Sequence, residues 1–183
     1  MSTALILIDI QNDYFPGGRM ELVGSTEAAA AAARLLDTFR KADWPVFHIQ
    51  HLSVRPNATF FLPGSPGVAI HPMVSPLADE TVITKYFPNS FRETDLLEKL
   101  QSAGVEQLLL CGMMTSMCVD ATVRAAFDLG FECTVASDAC ATRDLTFNGE
   151  TILASHVHGA FLAALGAVYA TVRTTDAIIQ GIQ

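Results

Sequence analysis

Asp9, Lys85 and Cys118 are the side chains whose types and positions suggest joint chemistry. A thiol becomes a nucleophile once it loses its proton. A carboxylate can take that proton, and an ammonium can offset the charge and hold the carboxylate in place, which is triad logic without histidine. Each residue also has an ordinary reading. Cys118 would serve as a small buried hydrophobe. Asp9 would cap the turn formed by Asn12, Asp13, Pro16, Gly17 and Gly18, and Lys85 would be a solvated charge. What favours the chemical reading is where the three fall among the elements.

Leu108, Leu109 and Leu110 form a short apolar run that reads as a buried strand. The chain then turns at Gly112 and enters a helix, with Val119, Val123, Ala126, Phe127 and Gly130 at helical intervals. Cys118 is expected where the strand hands over to that helix. There the free N–H groups and the dipole would lower a thiol pKa and hold an oxyanion. Residues 4–8 form a continuous apolar strand that ends at Asp9, and the strand at 81–84 ends at Lys85. Between them lie a helix over 25–42, a strand over 46–49 and a proline-rich loop over 52–79. Further on, Thr94 caps a helix carrying Leu96, Leu97 and Leu100, with Gly104 as its stop. A strand over 131–136, a helix over 150–165 and a strand over 167–172 complete the reading. This alternation predicts an α/β fold: a three-layer, Rossmann-like open sheet of about six mainly parallel strands with helices on both faces. A single domain over 1–183 is expected. Such sheets bind ligands at the carboxyl ends of their strands, and all three residues fall at such ends.

The net charge of −8 gives no basic footprint for nucleic acid or an anionic membrane. No apolar run is long enough to span a bilayer, and the start Met1-Ser2-Thr3 lacks the basic flank of an export signal. The four cysteines match no zinc or redox spacing and read as free thiols, so a cytoplasmic location is expected. Only 16% of residues are charged, and the 52–79 loop carries Phe60, Phe61, Leu62, Val68, Ile70 and Met73. That much apolar mass predicts either a homo-oligomer, dimer or higher, that covers the loop, or a lid folded back on its own domain.

Three segments carry a resemblance: Leu7-Ile8-Asp9-Ile10-Gln11-Asn12-Asp13-Tyr14-Phe15, Lys85-Tyr86-Phe87-Pro88-Asn89-Ser90-Phe91 and Gly112-Met113-Met114-Thr115-Ser116-Met117-Cys118-Val119. In this order they resemble the isochorismatase-like cysteine hydrolases, a superfamily that includes nicotinamidases and N-carbamoylsarcosine and ureidoacrylate amidohydrolases. The resemblance implies that Asp9, Lys85 and Cys118 are catalytic. It also implies a cis peptide between Met113 and Met114, and an oxyanion hole made by the N–H groups of Met114 and Cys118. Gln11, Phe15, Phe91 and Met117 match positions that shape the pocket. Isochorismatases proper lack the cysteine, so Cys118 points towards cleavage of a C–N bond in a small amide, imide or ureide.

Nicotinamidases hold a metal with an Asp-x-His pair after the second strand. Here that region reads Phe47-His48-Ile49-Gln50-His51-Leu52, without an aspartate, so no metal and no cofactor is expected. The histidines are expected in core, interface or pocket. Three other readings remain open from sequence: hydrolysis of a non-amide substrate, thiol redox chemistry, and a non-catalytic small-molecule-binding module.

Overall fold

A computed structural model describes residues 2–182. Six parallel strands form the central sheet: β1 (Ser2–Ile8), β2 (Val46–His51), β3 (Thr81–Lys85), β4 (Val105–Met113), β5 (Glu132–Ala141) and β8 (Thr171–Arg173). Their spatial order is β3-β2-β1-β4-β5-β8. β1 is wholly apolar from Ala4 to Ile8 and buried throughout that run, because helices cover both faces of a parallel sheet. Helix α1 (Ser25–Lys41) packs with α5 (Thr175–Ile182) on one face, and α3 (Asp120–Asp128) packs with α4 (Ala154–Val168) on the other. Helix α2 (Leu96–Ser102) leads from β3 into β4. The chain winds outward from β1 in one direction through β2 and β3, then in the other through β4, β5 and β8. The reversal therefore lies between β1 and β4, and their carboxyl ends open on the crevice where such sheets bind ligands.

β1 and β4 run close together at this switch point. A Cβ on Gly112 would stand 2.0 Å from the Ile8 carbonyl oxygen, and the residue has φ +128. Only glycine fits there.

The second half of the chain differs from the sequence expectation in several elements. β5 continues to Ala141. The expected start of the last long helix is instead a hairpin, β6 (Leu145–Phe147) and β7 (Glu150–Ile152), with α4 following it. Gly166 does not end α4, which runs to Val168, so the last strand begins only at Thr171. α5 was not expected at all.

The 52–79 loop is anchored on its own domain. Phe61 is 1% exposed and packs on Tyr14 and Phe60, with ring centroids 4.6 and 4.9 Å away. Its amide donates to Asp13 Oδ2 at 2.6 Å, and Ile70 bridges to Gln11. At the far end, Arg40 donates to both carboxylate oxygens of Glu80 and to the Ser75 carbonyl. Much of the loop's apolar surface is thus covered within one chain, which is the lid alternative.

Candidate active site

Asp9 follows β1 directly, with φ 50, in the left-handed region that Asp and Asn tolerate better than most residues. That backbone turns its carboxylate into the crevice, where it is 0% exposed. Lys85 is the last residue of β3 rather than the residue after it, and is in register with His51 at the end of β2. Its side chain reaches back across β2, and Nζ lies 2.7 Å from Asp9 Oδ2 with both groups fully buried. The ammonium also donates to the carbonyls of Phe87 (3.1 Å) and Pro88 (3.3 Å), and meets His51 Nδ1 at 3.1 Å. Its bonding capacity is thereby filled. Neither Asp9 oxygen has a well-aligned hydrogen bond among the described residues, despite the close ammonium. The carboxylate is therefore held by charge and left able to accept a proton.

Cys118 enters from the other side. β4 ends at Met113, the Met113–Met114 peptide is cis, and Thr115–Val119 make a single wide turn before α3. The Cys118 sulfur, an Asp9 oxygen and a His51 nitrogen all lie within 4.8 Å of one another. Burial pushes the Cys118 thiol well up, and the Asp9 charge adds to this while Lys85 opposes it. This corrects the expectation from the helix terminus: desolvation wins, and Cys118 rests as a thiol. For Lys85, burial is the largest influence and would lower the pKa, but the charges of Asp9 and Cys118 and the hydrogen bonds to both together outweigh it, and the ammonium stays above its ordinary value. Burial brings His51 down to about 4, with Lys85 and Arg55 adding to the effect against Asp9. His51 is therefore neutral near pH 7. Its 3.8 Å approach to Asp9 is not an ion pair, and its Nδ1 accepts from Lys85.

A cavity of about 320 Å³ opens above these groups. Cys118, His51, Met114 and Tyr14 line it, with Phe60, Tyr86 and Arg55 on the loop side. Apolar walls with a few convergent polar groups are the usual form of a small-molecule site. A larger depression of about 750 Å³, lined by Arg40, Trp44, Glu80 and Lys99 among others, lies at the amino ends of β2 and β3, away from the thiol. The larger space is not the chemical one.

The other sequence-predicted residues divide. Met117 lines the cavity beside Cys118 and is 47% exposed. Gln11 is buried beneath it. Its amide donates to the carbonyls of His51 (2.9 Å) and Val68 (2.7 Å) and its oxygen accepts from the His51 amide (2.8 Å). Those bonds occupy the side chain and tie β1, β2 and the loop together, so it does not line the cavity. Phe15 is stacked on His71 at 3.6 Å, and Phe91 on Phe131 at 6.2 Å. Both fill the packing outside the cavity wall. His51, Tyr14 and Arg55 were not singled out from sequence. His51 ends β2 as Lys85 ends β3, but β2 runs two residues past the 46–49 strand read from sequence, so the strand-end rule stops short of it.

Among the described residues, the remaining histidines lie apart from the Asp9, His51 and Cys118 cluster. His48 is buried against Glu80 at 2.9 Å, His71 stacks on Phe15, and His158 meets Thr115 Oγ1 at 3.0 Å, so none of them converges with His51. Asp9, His51 and Cys118 do cluster, but the Lys85 ammonium touches Asp9 and His51 from within that cluster. A fixed positive charge already stands where a cation would sit, so the donor set does not fit a metal.

Among the described residues, no helix is long and apolar enough to cross a membrane. The chain is 54% identical to the isochorismatase family protein YddQ of Bacillus subtilis (strain 168), covering 98% of this chain and 100% of that protein. Its structure superposes on an isochorismatase hydrolase from Oleispira antarctica with a TM-score of 0.95 and 50% identity, covering 98% and 97% of the two chains. It is also 35% identical to a streptothricin hydrolase of Streptomyces noursei over 78% of this chain and 50% of that one. The family profile described as the isochorismatase domain matches residues 3–176, and the chain belongs to the isochorismatase family of hydrolases.

Proposed function

We propose that this family member is a cysteine-dependent hydrolase of a C–N bond in a small amide, imide or ureide, working through a thioester on Cys118. The observation that carries the reading is a buried Asp9–Lys85 pair at 2.7 Å beside the Cys118 sulfur, at the floor of a cavity of about 320 Å³. Because burial keeps Cys118 protonated, attack needs a base in contact with the thiol. Asp9 accepts the proton as the sulfur bonds to the substrate carbonyl carbon. The N–H groups of Met114 and Cys118 hold the oxyanion. Collapse breaks the C–N bond, and the leaving nitrogen takes the proton from Asp9. Water, losing its proton to Asp9, then attacks the thioester, and Cys118 leaves as the thiol. Lys85 holds Asp9 in place as its carboxyl takes up and gives back the proton, without touching the substrate.

We further infer a second copy of the chain in the working assembly. Helix α4 carries no Asp, Glu, Lys or Arg. It buries Val157, Leu162 and Leu165 and leaves Gly159, Ala160, Ala163 and Ala164 outward. Beyond Ser155 and His156 that outward face is apolar, and an apolar helix face is one that packs against something.

The test of the catalytic reading is intact-mass detection of acyl adducts during a screen of small amides and ureides. An adduct of acyl mass on the wild type that is absent from Cys118→Ala is expected. Turnover that survives in Cys118→Ala would sink the reading.

A further inference from the structure

The turn that presents the nucleophile is fastened from behind at two points. Ser116 Oγ meets Thr142 Oγ1 at 2.9 Å. Thr115 Oγ1, on the residue that follows the cis peptide, meets His158 Nδ1 at 3.0 Å. Thr115 is fully buried, and this is its hydroxyl's contact among the described residues. The His158 ring also bonds to the backbone carbonyl of Ser137. A carbonyl only accepts, so the nitrogen facing Ser137 carries the proton, and Nδ1 of the neutral ring offers a lone pair to the Thr115 hydroxyl.

We propose that His158 is a positioning residue for the Met114–Cys118 turn, acting through Thr115, and that it holds the turn more firmly while uncharged. The proposal rests on the catalytic reading above. Protonating Nδ1 removes the acceptor. The ring N–H then donates to the Thr115 oxygen, but the hydroxyl proton, fully buried, loses its acceptor, so one of the two fastenings of the turn carrying Met114 and Cys118 is weakened. Among the charged and titratable groups around the ring, Asp138 on β5 is engaged with Thr175 and Asp144 with the Ala154 amide. Cys140 on β5 shares a cavity with the ring, while Arg143 and His156 make no ion pair with it. No described carboxylate lies within ion-pair distance of the imidazole, so nothing favours its charged form except the Ser137 carbonyl. Burial outweighs that and holds the ring below its ordinary pKa. The shared cavity, about 180 Å³ and lined by Cys140, Thr142, Ser155 and His158, gives protons access to the ring.

The experiment compares wild type with His158→Gln, whose amide can accept from Thr115 and donate to Ser137 but cannot ionise, and with Thr115→Val, which removes the donor. The alkylation rate of Cys118 by iodoacetamide, followed by intact mass, needs no substrate. kcat and KM are measured alongside on whichever amide gives an adduct. Ionisation of Cys118, Asp9 and His51 is common to all the proteins, so the ratio of wild-type rate to His158→Gln rate reads His158 alone. That ratio should be near one at about pH 7.5 and fall about fivefold by about pH 5, the effect of one ordinary hydrogen bond. KM should stay constant, and Thr115→Val relative to its double variant with His158→Gln should show no such fall. A flat wild-type ratio, or an equal fall in the Thr115→Val pair, overturns the proposal. Absence of any acyl adduct alongside a pH-dependent alkylation ratio would overturn the amide reading and leave the fastening intact.

Discussion

Asp9 and Lys85 permit stability and chemistry to be separated in one experiment. At 2.7 Å and an effective dielectric of about 20, their attraction is about 6 kcal/mol before desolvation is counted. Removing both ions from water offsets most of that, so the pair as a whole adds little to stability. Removing one partner is different, because the other remains buried and unpaired. Asp9→Asn suits the φ 50 backbone, and it strands the ammonium. Lys85→Met strands the carboxylate. Each should cost about 3–5 kcal/mol in urea unfolding. If the two effects simply added, the double variant would lose about 6–10 kcal/mol, comparable with the whole stability of a domain. Instead it should lose no more than about 3 kcal/mol, because no unpaired charge remains. Activity should not follow. Asp9→Asn should lower kcat by about 10²- to 10⁴-fold through loss of the base, and the refolded double variant should stay equally inactive. Stabilities that add to within about 0.5 kcal/mol, or near-wild-type turnover in Asp9→Asn, would refute the reasoning.

Glu80 is held at about 2 by Arg40, the Leu77 amide and His48, against the opposing effect of burial. A carboxylate depressed from 4.5 to about 2 contributes stability that is complete above about pH 4.5 and lost as the pH falls towards 2. Glu80→Gln should therefore lower stability near pH 7 by at most about 3 kcal/mol and flatten its acid dependence between those values; an unchanged acid limb in chemical denaturation would count against the clamp. Prolonged chelation should leave turnover intact, since Lys85 holds the cation position; loss on chelation with recovery on adding zinc, iron or manganese would reverse that conclusion. Light scattering should give at least twice the mass of one chain, and Ala163→Glu on the open face of α4 should reduce it to one. A wild-type monomer would remove the case for a second copy.

The sheet and the three strand-end residues were legible because their signals are local. Residues 4–8 and 108–110 are uninterrupted apolar runs, and Asp9 and Lys85 are the first charges after the uncharged runs 4–8 and 81–84. The β6–β7 hairpin has a local signal too: Asn148-Gly149 is a strong hairpin pair, and both residues have positive φ (50 and 81). The expected helix over 150–165 takes Glu150 as its start, whereas Glu150 opens β7. Other features depend on the tertiary fold. That Gln11 would be consumed in fastening His51 and Val68, and Phe15 in stacking on His71, is decided by how the 52–79 loop lies down. The thiol state of Cys118 likewise depends on burial, which the helix-terminus argument does not contain.

The loop closure at Ser53 has a bearing on how such a hydrolase diversifies. The Ser53 amide donates to the Phe61 carbonyl at 2.9 Å, and Phe61 is itself fixed by Asp13 and Tyr14. The residues between these two points, Arg55, Thr59 and Phe60 among them, form one side of the cavity, yet none supports Asp9, Lys85 or Cys118. They make an exchangeable cassette clipped onto a fixed chemical frame. Its length and side chains can drift, or be grafted from another protein, without disturbing the charges that activate the thiol. Changes of substrate should therefore accumulate between Ser53 and Phe61 more readily than anywhere else in the chain, because there selectivity and folding are under separate constraints.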